Sequence, residues 1–457
     1  MSSAGDWVSR LGWTAFLLHH ARRQARLPFE AAAIEREQTR RVTRMVRHAY
    51  ATVPHYRDAM DRIGLDPRDI RTASDLGRLP IIEPEDVQRD AERFTSTSAP
   101  PSAYLQLRSG GSTGRPRSIY HDTAALFENA AHGERERSLV TRFVGKRIGY
   151  RESLIVVPHS SAEIVQTFCA RRSLVPARVR IERQYLSLFD APDENVCRLN
   201  AFEPDVIHAY GSYLEALFGY LHATGVPFHR PKVVTYSSDG LAESVRRLIT
   251  GTFRIPVLGT YQAIEAFKIA FECGAGLHVN ADLYPVRIVD RDGHPVPMGE
   301  TGEVVVSNLV NRATVLLNYR LGDLAALAPD PCPCGRALPR LTGLHGRRDE
   351  WIDLPSGRTV HPMTVRRIFT HEHEIWQYQV IQEAPARFRV SIVAAPACDR
   401  AAARARLGAA FRAQFGAEVA VDVAFCDAIP RPPGGKPRVV VSLRAAPAVA
   451  TAGGLDA

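Results

Sequence analysis

From about residue 104 onward, short runs of β-branched and aliphatic residues alternate with segments of helical periodicity, and this alternation limits the fold more than any other feature. Leu154–Val157, Asp205–His208, Lys232–Tyr236 and Ile255–Leu258 read as strands, and Tyr213–Thr224 and Ala242–Thr252 between them as helices. Such a succession predicts α/β layering with substantial parallel sheet. Over 285–328 the pattern changes. Val286–Val289, Gly302–Ser307 and Leu324–Ala328 read as antiparallel strands, with Asp292-Gly293 as a hairpin signal. Ahead of all this, residues 1 to about 60 are basic and helical, with Val42, Met45, Val46 and Ala49 on one face and Pro54 ending the helix.

A second unit begins near Gly346. It has strands around Trp351–Leu354, Tyr378–Gln382 and Phe388–Ala394, a helix over Arg400–Phe415 and a strand over Val419–Phe425. The expectation is therefore an α/β chain in three parts. Residues 1–345 form a large N-terminal domain of layered sheets and helices, 346–445 a small mobile α+β domain, and 446–457 a disordered tail.

Composition removes several function classes. A content of 45% hydrophobic and 23% charged residues is that of an ordinary soluble protein. The net charge of +9 comes almost wholly from arginine, since Lys146, Lys232, Lys268 and Lys436 are the only lysines. No nucleic-acid-binding motif accompanies that charge, so no nucleic-acid partner is expected, although the field suits anionic substrates. Seven scattered cysteines argue against a disulfide framework. The apolar run Leu11–Leu18 is too short to span a bilayer and is not followed by a small-residue cleavage site. A cytoplasmic chain without a membrane partner is the reading.

Five segments carry chemistry. In Arg108-Ser-Gly-Gly-Ser-Thr-Gly-Arg-Pro-Arg117, Gly110, Gly111 and Gly114 allow close backbone approach to an anion. Ser109, Ser112 and Thr113 add hydroxyl donors, but no Gly-Lys-Ser/Thr follows as a P-loop NTPase requires. In Gly259–Glu265, Glu265 offers a carboxylate for Mg2+ and Tyr261 a ring to stack on a base. Asn318–Asp323 ends in an Asp after a turn glycine, able to accept both hydroxyls of a ribose. Gly346–Pro362 opens the small unit with charged residues suited to a pivot. Finally, Ile429–Arg438 contains Gly-Gly-Lys436. A lysine kept in so arginine-rich a chain marks a place where a compact ammonium is wanted. Taken singly, each also reads as an ordinary loop, turn or strand end.

In this order and spacing the five resemble the adenylate-forming superfamily of acyl-CoA synthetases, adenylation domains and luciferases. The likeness is greatest to its phenylacetate-CoA ligase and coenzyme F390 synthetase branch, and runs over roughly residues 38–440. Val53–Tyr56, Leu76–Pro80, Phe202–Leu214 and Cys-Pro-Cys-Gly point to that branch. The resemblance implies ATP- and Mg2+-dependent activation of a small carboxylic acid, aryl or acyl, as an adenylate, then transfer to the thiol of CoA. It implies that Ser109–Arg117 guides the ATP phosphates, Tyr261 lies near adenine, Glu265 ligates Mg2+, and Asp323 with Arg347 holds the ribose. It further places Asp349 at the hinge, Lys436 between carboxylate and α-phosphate, and Tyr236–Leu241, with Ser238, Asp239 and Gly240, on the nucleotide. Tyr210, Gly211 and Ser237 would line the acid pocket. Dimers are the commonest oligomer, so a homodimer is the default partner.

The chain departs from the family pattern at Gly111-Ser112, at Arg115, and at Gln262-Ala-Ile ahead of Glu265. It departs again at Pro355-Ser-Gly-Arg-Thr-Val, in the loop that normally faces the second half-reaction. That leaves open an amine, a carrier-protein thiol, or nitrite with an aryl amine in place of the usual substrate or acceptor. An inert nucleotide-binding homologue is the rival of another class. Cys273, His278, Cys332 and Cys334 offer the four ligands of a closed structural Zn2+ site. Cys169, Cys197, Cys398 and Cys426 read as core thiols, and His208 and His361 as structural histidines.

Overall fold

The computed structural model describes residues 4–108, 117–174, 181–347, 352–357, 359–360, 362–369, 372, 374–430 and 438–443. The chain divides after Leu344 into two compact units.

The first unit opens with helices α1 (Ala4–Gln24), α2 (Ala31–Thr52), α3 (Pro54–Ile63) and α4 (Pro84–Arg89). Pro54 does end the preceding helix as expected, but it also begins the next one. Its missing N–H costs nothing at a first helical position, where its fixed φ is already helical. Strands β1 (Leu105–Arg108) and β2 (Ser118–His121) pair antiparallel and lead into α5 (Thr123–Val144). An alternating region follows: β3 (Arg151–Val156), α6 (Ser161–Arg171), β4 (Glu182–Ser187), α7 (Pro192–Phe202), β5 (Val206–Tyr210), α8 (Gly211–Thr224), β6 (Val233–Ser237), α9 (Glu243–Arg247) and β7 (Val257–Ala263). The helix expected over Ala242–Thr252 is α9 continued by a π-helical turn, Leu248–Thr252. The last part is β8 (Phe267–Glu272), β9 (Leu277–Val279), β10 (Val286–Val289), β11 (Gly302–Val306), β12 (Tyr319–Leu327) and β13 (Arg340–Arg347).

Strands β3 to β13 make one sheet in the order β10-β11-β12-β13-β9-β8-β7-β6-β5-β3-β4. The five strands from β7 to β4 are parallel, and the pairing turns antiparallel at β7–β8. Parallel strands must be covered on both faces, which is why β5 and β6 open on Val206-Ile207 and Val233-Val234, apolar toward both. Ile207, Ala209 and Val234 face α8 through Leu214, Leu217 and Phe218. On the opposite face Val206, Val233 and Leu258 pack beneath Leu139 and Val140 of α5. Truncating Phe218, which is fully buried, should cost about 3–5 kcal/mol. The Asp292-Gly293 turn forms, with Gly293 at φ +90°, and folds the chain back antiparallel on β10, bridging Val289 to Pro295. The longer strand paired with β10 is β11, which begins at Gly302.

The second unit contains the short antiparallel pair β14 (Ile352–Asp353) and β15 (Thr359–Val360), then α10 (Pro362–Phe369). A four-stranded sheet follows from β16 (Ile375–Ala384), β17 (Arg387–Ala394), β18 (Ala420–Phe425) and β19 (Val440–Val441), with α11 (Arg400–Phe415) inserted before β18. Its order is β18-β17-β16-β19. Phe388, Val390 and Ile392 of β17 pack against Leu407, Phe411 and Phe415 of α11, forming a core of its own. Asp399 caps α11 by accepting from the amides of Ala401 and Ala402 at 3.1 and 3.0 Å.

Candidate functional site

The carboxyl ends of parallel strands, where the strand order reverses, are where α/β sheets bind ligands. Here β4 lies on one side of β3 and β5 on the other. Beyond β6 the chain runs Ser237-Ser238-Asp239-Gly240. Ser238 has φ +78°, an uncommon left-handed conformation for a residue other than glycine, of the kind that concentrates at functional sites. The Asp239 carboxylate accepts from the Ser212 hydroxyl, and from the Ser212 amide at 3.3 Å, so it anchors this loop to the start of α8. Gly211 lies so close that a Cβ there would come within 2.2 Å of the Gly240 carbonyl oxygen. Burial pushes the Tyr210 phenol above its ordinary value, with a hydrogen bond to Ser238 opposing.

The turn between β7 and β8 holds the next group. Tyr261 donates to an Asp323 carboxylate oxygen at 2.6 Å, joining β7 to β12. Gly322 and Asp323 are not in a terminal turn, as their sequence suggests. They sit inside the nine-residue strand β12, with Gly322 at φ +79°. The backbone freedom of Gly322 is spent on an irregularity within the strand. Glu265 is buried in the turn itself, where Tyr319 donates to its carboxylate at 3.4 Å and Asn308 donates to its carbonyl at 2.8 Å.

Beneath α5 the sheet face changes character along the strands. Past the apolar Val206, Val233 and Leu258 come His208, Thr235, Ser237, Thr260 and Gln262. The His208 ring bonds at both nitrogens, Nδ1 with the Thr235 hydroxyl at 2.9 Å and Nε2 with the Ser237 hydroxyl at 3.1 Å. Burial holds His208 below its ordinary pKa despite Glu136 and Glu152 nearby, so the ring is neutral at pH 7. Gln262 donates to the Thr260 hydroxyl at 3.1 Å. Across the β7–β8 pairing Gln262 faces Lys268, whose ammonium meets Glu136 of α5 at 2.6 Å.

A fourth cluster is separate from these. Cys273 at the end of β8, His278 in β9, and Cys332 and Cys334 before β13 bring their ligand atoms within 4.8 Å of one another. The Cys273–Cys332 sulfur separation is 3.6 Å, and His278 Nε2 stands 3.1 Å from the Cys334 sulfur. Ligands 2.3 Å from a central tetrahedral ion would stand roughly 3.8 Å apart, so the set is close to the required size. The other ring nitrogen, Nδ1, faces the Leu338 carbonyl at 3.2 Å, which would fix the tautomer that leaves Nε2 for a metal. Burial pushes the Cys273 thiol up to about 12. Cys334 is held below its ordinary value: burial acts against ionisation, but hydrogen bonds from the Arg336 amide and side chain outweigh it.

The structure therefore brings together Tyr261 with Asp323, Ser237 with His208, Asp239 with Ser212, and the four Cys/His residues. Ser109, Gly110, Gly111, Ser112, Thr113 and Gly114 of the loop, Asp349, His361 and Lys436 lie outside the described residues. Arg347 closes β13. Of the four supposed core thiols, Cys197 is exposed. His208 has the satisfied bonding expected of a structural histidine, but in company the sequence reading did not pick out. Glu136, Thr235 and Lys268 were missed, and the one available signal was that Lys268 is among only four lysines.

The small unit matches the family described as CapK C-terminal domain over residues 354–443. The chain is 26% identical over 363 residues to a phenylacetate-coenzyme A ligase of Thermus thermophilus, covering 75% of this chain and 77% of that one. It is 25% identical over 370 residues to the phenylacetate-coenzyme A ligase of Escherichia coli, covering 77% and 80%. Its fold superposes with a TM-score of 0.72 on a crystal structure of 2-hydroxyisobutyryl-CoA ligase in the postadenylation state in complex with 2-HIB-AMP, at 17% identity over 90% of this chain and 89% of that one. These likenesses bear out the resemblance to adenylate-forming CoA ligases and to their phenylacetate-CoA ligase branch.

Proposed function

We propose that this chain, with the fold of adenylate-forming CoA ligases and a sequence like those of the phenylacetate-CoA branch, activates a carboxylic acid with ATP and passes the acyl group to the thiol of CoA. The observation that carries the reading is the Tyr261–Asp323 pair beside buried Glu265, at the mouth of the parallel strands. It offers a ring for adenine, a carboxylate for ribose hydroxyls and a carboxylate for a cation within one turn and its neighbouring strand.

The chemistry follows from charge. An oxygen of the acid's carboxylate attacks the α-phosphorus of ATP, the bond to the bridging oxygen breaks, and pyrophosphate leaves. Negative charge accumulates on the phosphoryl oxygens as this happens. Lys436 would meet it with a compact ammonium, and the amides and hydroxyls of 109–114 would hold the departing phosphates. The hard oxygens of Glu265 suit Mg2+, which when bound neutralises phosphoryl charge. Arg347 would assist Asp323 at the ribose. In the second half-reaction the small unit would turn at Asp349 and withdraw Lys436, admitting the thiol. Pro355–Gly357, in the turn joining β14 to β15, departs from the family loop, so an amine or carrier-protein thiol is the second reading for the acceptor.

The Cys273, His278, Cys332 and Cys334 set would hold a structural Zn2+. Four protein ligands leave no position for water, so the ion would fasten β8 and β9 to the segment before β13 without entering the chemistry.

The test is acid-dependent ATP–pyrophosphate exchange without CoA, across aryl, short aliphatic and fatty acids. Exchange with one class is expected, and Lys436→Ala should lower it by ~100-fold or more. Variant activity within tenfold of the parent would overturn the role of Lys436.

A further inference from the structure

The polar face under α5 stands where apolar packing would also join helix to sheet. A few residues back along the same strands the same face is apolar and packed by Leu139 and Val140. Extending that packing would be the simpler construction, since replacing a buried ion pair by well-packed apolar residues is often neutral or stabilising. Instead the chain places Glu136 and Lys268 there, with side chains only 18% and 25% exposed, above His208, Thr235, Ser237 and Gln262.

These groups have bonding capacity left over. A neutral imidazole donates from one nitrogen and accepts at the other. Of Thr235 and Ser237, the hydroxyl that receives from the ring still has a proton to give, and the one that donates keeps its lone pairs. The lysine ammonium has three protons and the glutamate two oxygens, of which the Lys268–Glu136 bond uses one each. Donors and acceptors thus converge on one patch, whose Gln262 is three residues along the chain from Glu265 and one from Tyr261.

From this juxtaposition, and resting on the adenylation reading above, we propose that the patch reads the body of the acid, and that the substrate is a carboxylic acid bearing hydroxyl or amino substituents. An unsubstituted aryl or fatty chain laid on the same patch would strip these groups of water without replacing its hydrogen bonds. Sites built to bond a polar substituent discriminate strongly against analogues lacking it.

The experiment measures binding of acyl-sulfamoyl adenosines to the full chain by calorimetry. The acyl groups are benzoyl, phenylacetyl and propanoyl, each with its hydroxy- and amino-substituted forms, and AMP serves as the fold control. At least one substituted form should bind ~10-fold or more tighter than its parent. Lys268→Met and Glu136→Gln, made separately, should reduce that preference to under threefold while AMP still binds. Parents that bind as tightly as every substituted form would overturn the inference and leave the adenylation reading standing. Failure of folded protein to bind any analogue or AMP would overturn both.

Discussion

Tyr261 and Asp323 are 62 positions apart in sequence, yet their side chains meet at 2.6 Å. The motif order placed each near the nucleotide, but only the folded sheet shows that one orients the other. Tyr261→Phe keeps the ring and removes the donor, at about 1 kcal/mol. We expect kcat/KM for ATP to fall roughly fivefold, with stability lowered by no more than about 1 kcal/mol, in steady-state kinetics paired with thermal melts. A change within experimental error would show that the hydrogen bond does not position Asp323. His121 gives a different prediction. It is fully buried beside Phe267, and burial lowers its pKa to about 3, slightly offset by the Ile264 backbone. The unfolded chain takes up a proton near pH 6.5 while the folded chain stays neutral. The stability so contributed is therefore whole above about pH 6.5 and lost progressively as pH falls from there toward about 3. Urea melts between pH 7 and pH 5 should show that loss, and His121→Leu should reduce it, the remainder including His132, which burial also holds well below its ordinary value. No such property was legible in the sequence, where a lone histidine after Tyr120 has no distinguishing neighbour.

Elements were more legible than contacts because hydrophobic periodicity is local and side-chain meetings are not. The helix read over Arg400–Phe415 has those bounds, and Tyr213–Thr224 lies within α8. Pro54 stops α2 as its sequence predicts, and it also starts α3. The misreading is Gly322, which looks like a turn but lies within β12. Helix α5 matters most for the proposed acid site because it carries Glu136. Asp122 anchors its start, accepting from the Ala125 amide at 2.9 Å and from the Arg312 amide at 2.8 Å. Asp122→Ala should cost about 1–2 kcal/mol in chemical denaturation. A loss below ~0.3 kcal/mol would mean that packing alone holds the helix. Further along, Arg135 makes two bonds to Asp282 at 2.8 and 2.7 Å, and others to Asn280 and Gln24 at 2.9 and 2.8 Å. Arg135→Met would leave Asp282 charged and buried, a loss of about 3–5 kcal/mol.

For the molecule as a whole, each of the two units has its own core, and the first also has the Cys/His cluster, which joins neighbouring strands of its sheet that are distant in sequence. If that cluster holds zinc, purified protein should contain about one ion per chain, and a strong chelator should lower the melting temperature of the first unit's transition. Metal at background level in freshly purified, reducing-buffer samples would remove zinc from the account. The sequence supplied the four residues, but a separation of 59 positions between Cys273 and Cys332 gives no distance in space. The strands that carry both chemistries have a further consequence. On β6, Tyr236 points to one face, where Arg246 of α9 meets it at 2.9 Å, while Thr235 and Ser237 point to the other, toward His208. Alternate positions of a strand are thus separate letters. If the patch reads the acid as proposed, mutation at Thr235 and Ser237 would rewrite which acid is accepted, while Tyr236 between them keeps the scaffold spelled as before. A lineage built this way can diversify its diet without relearning how to fold.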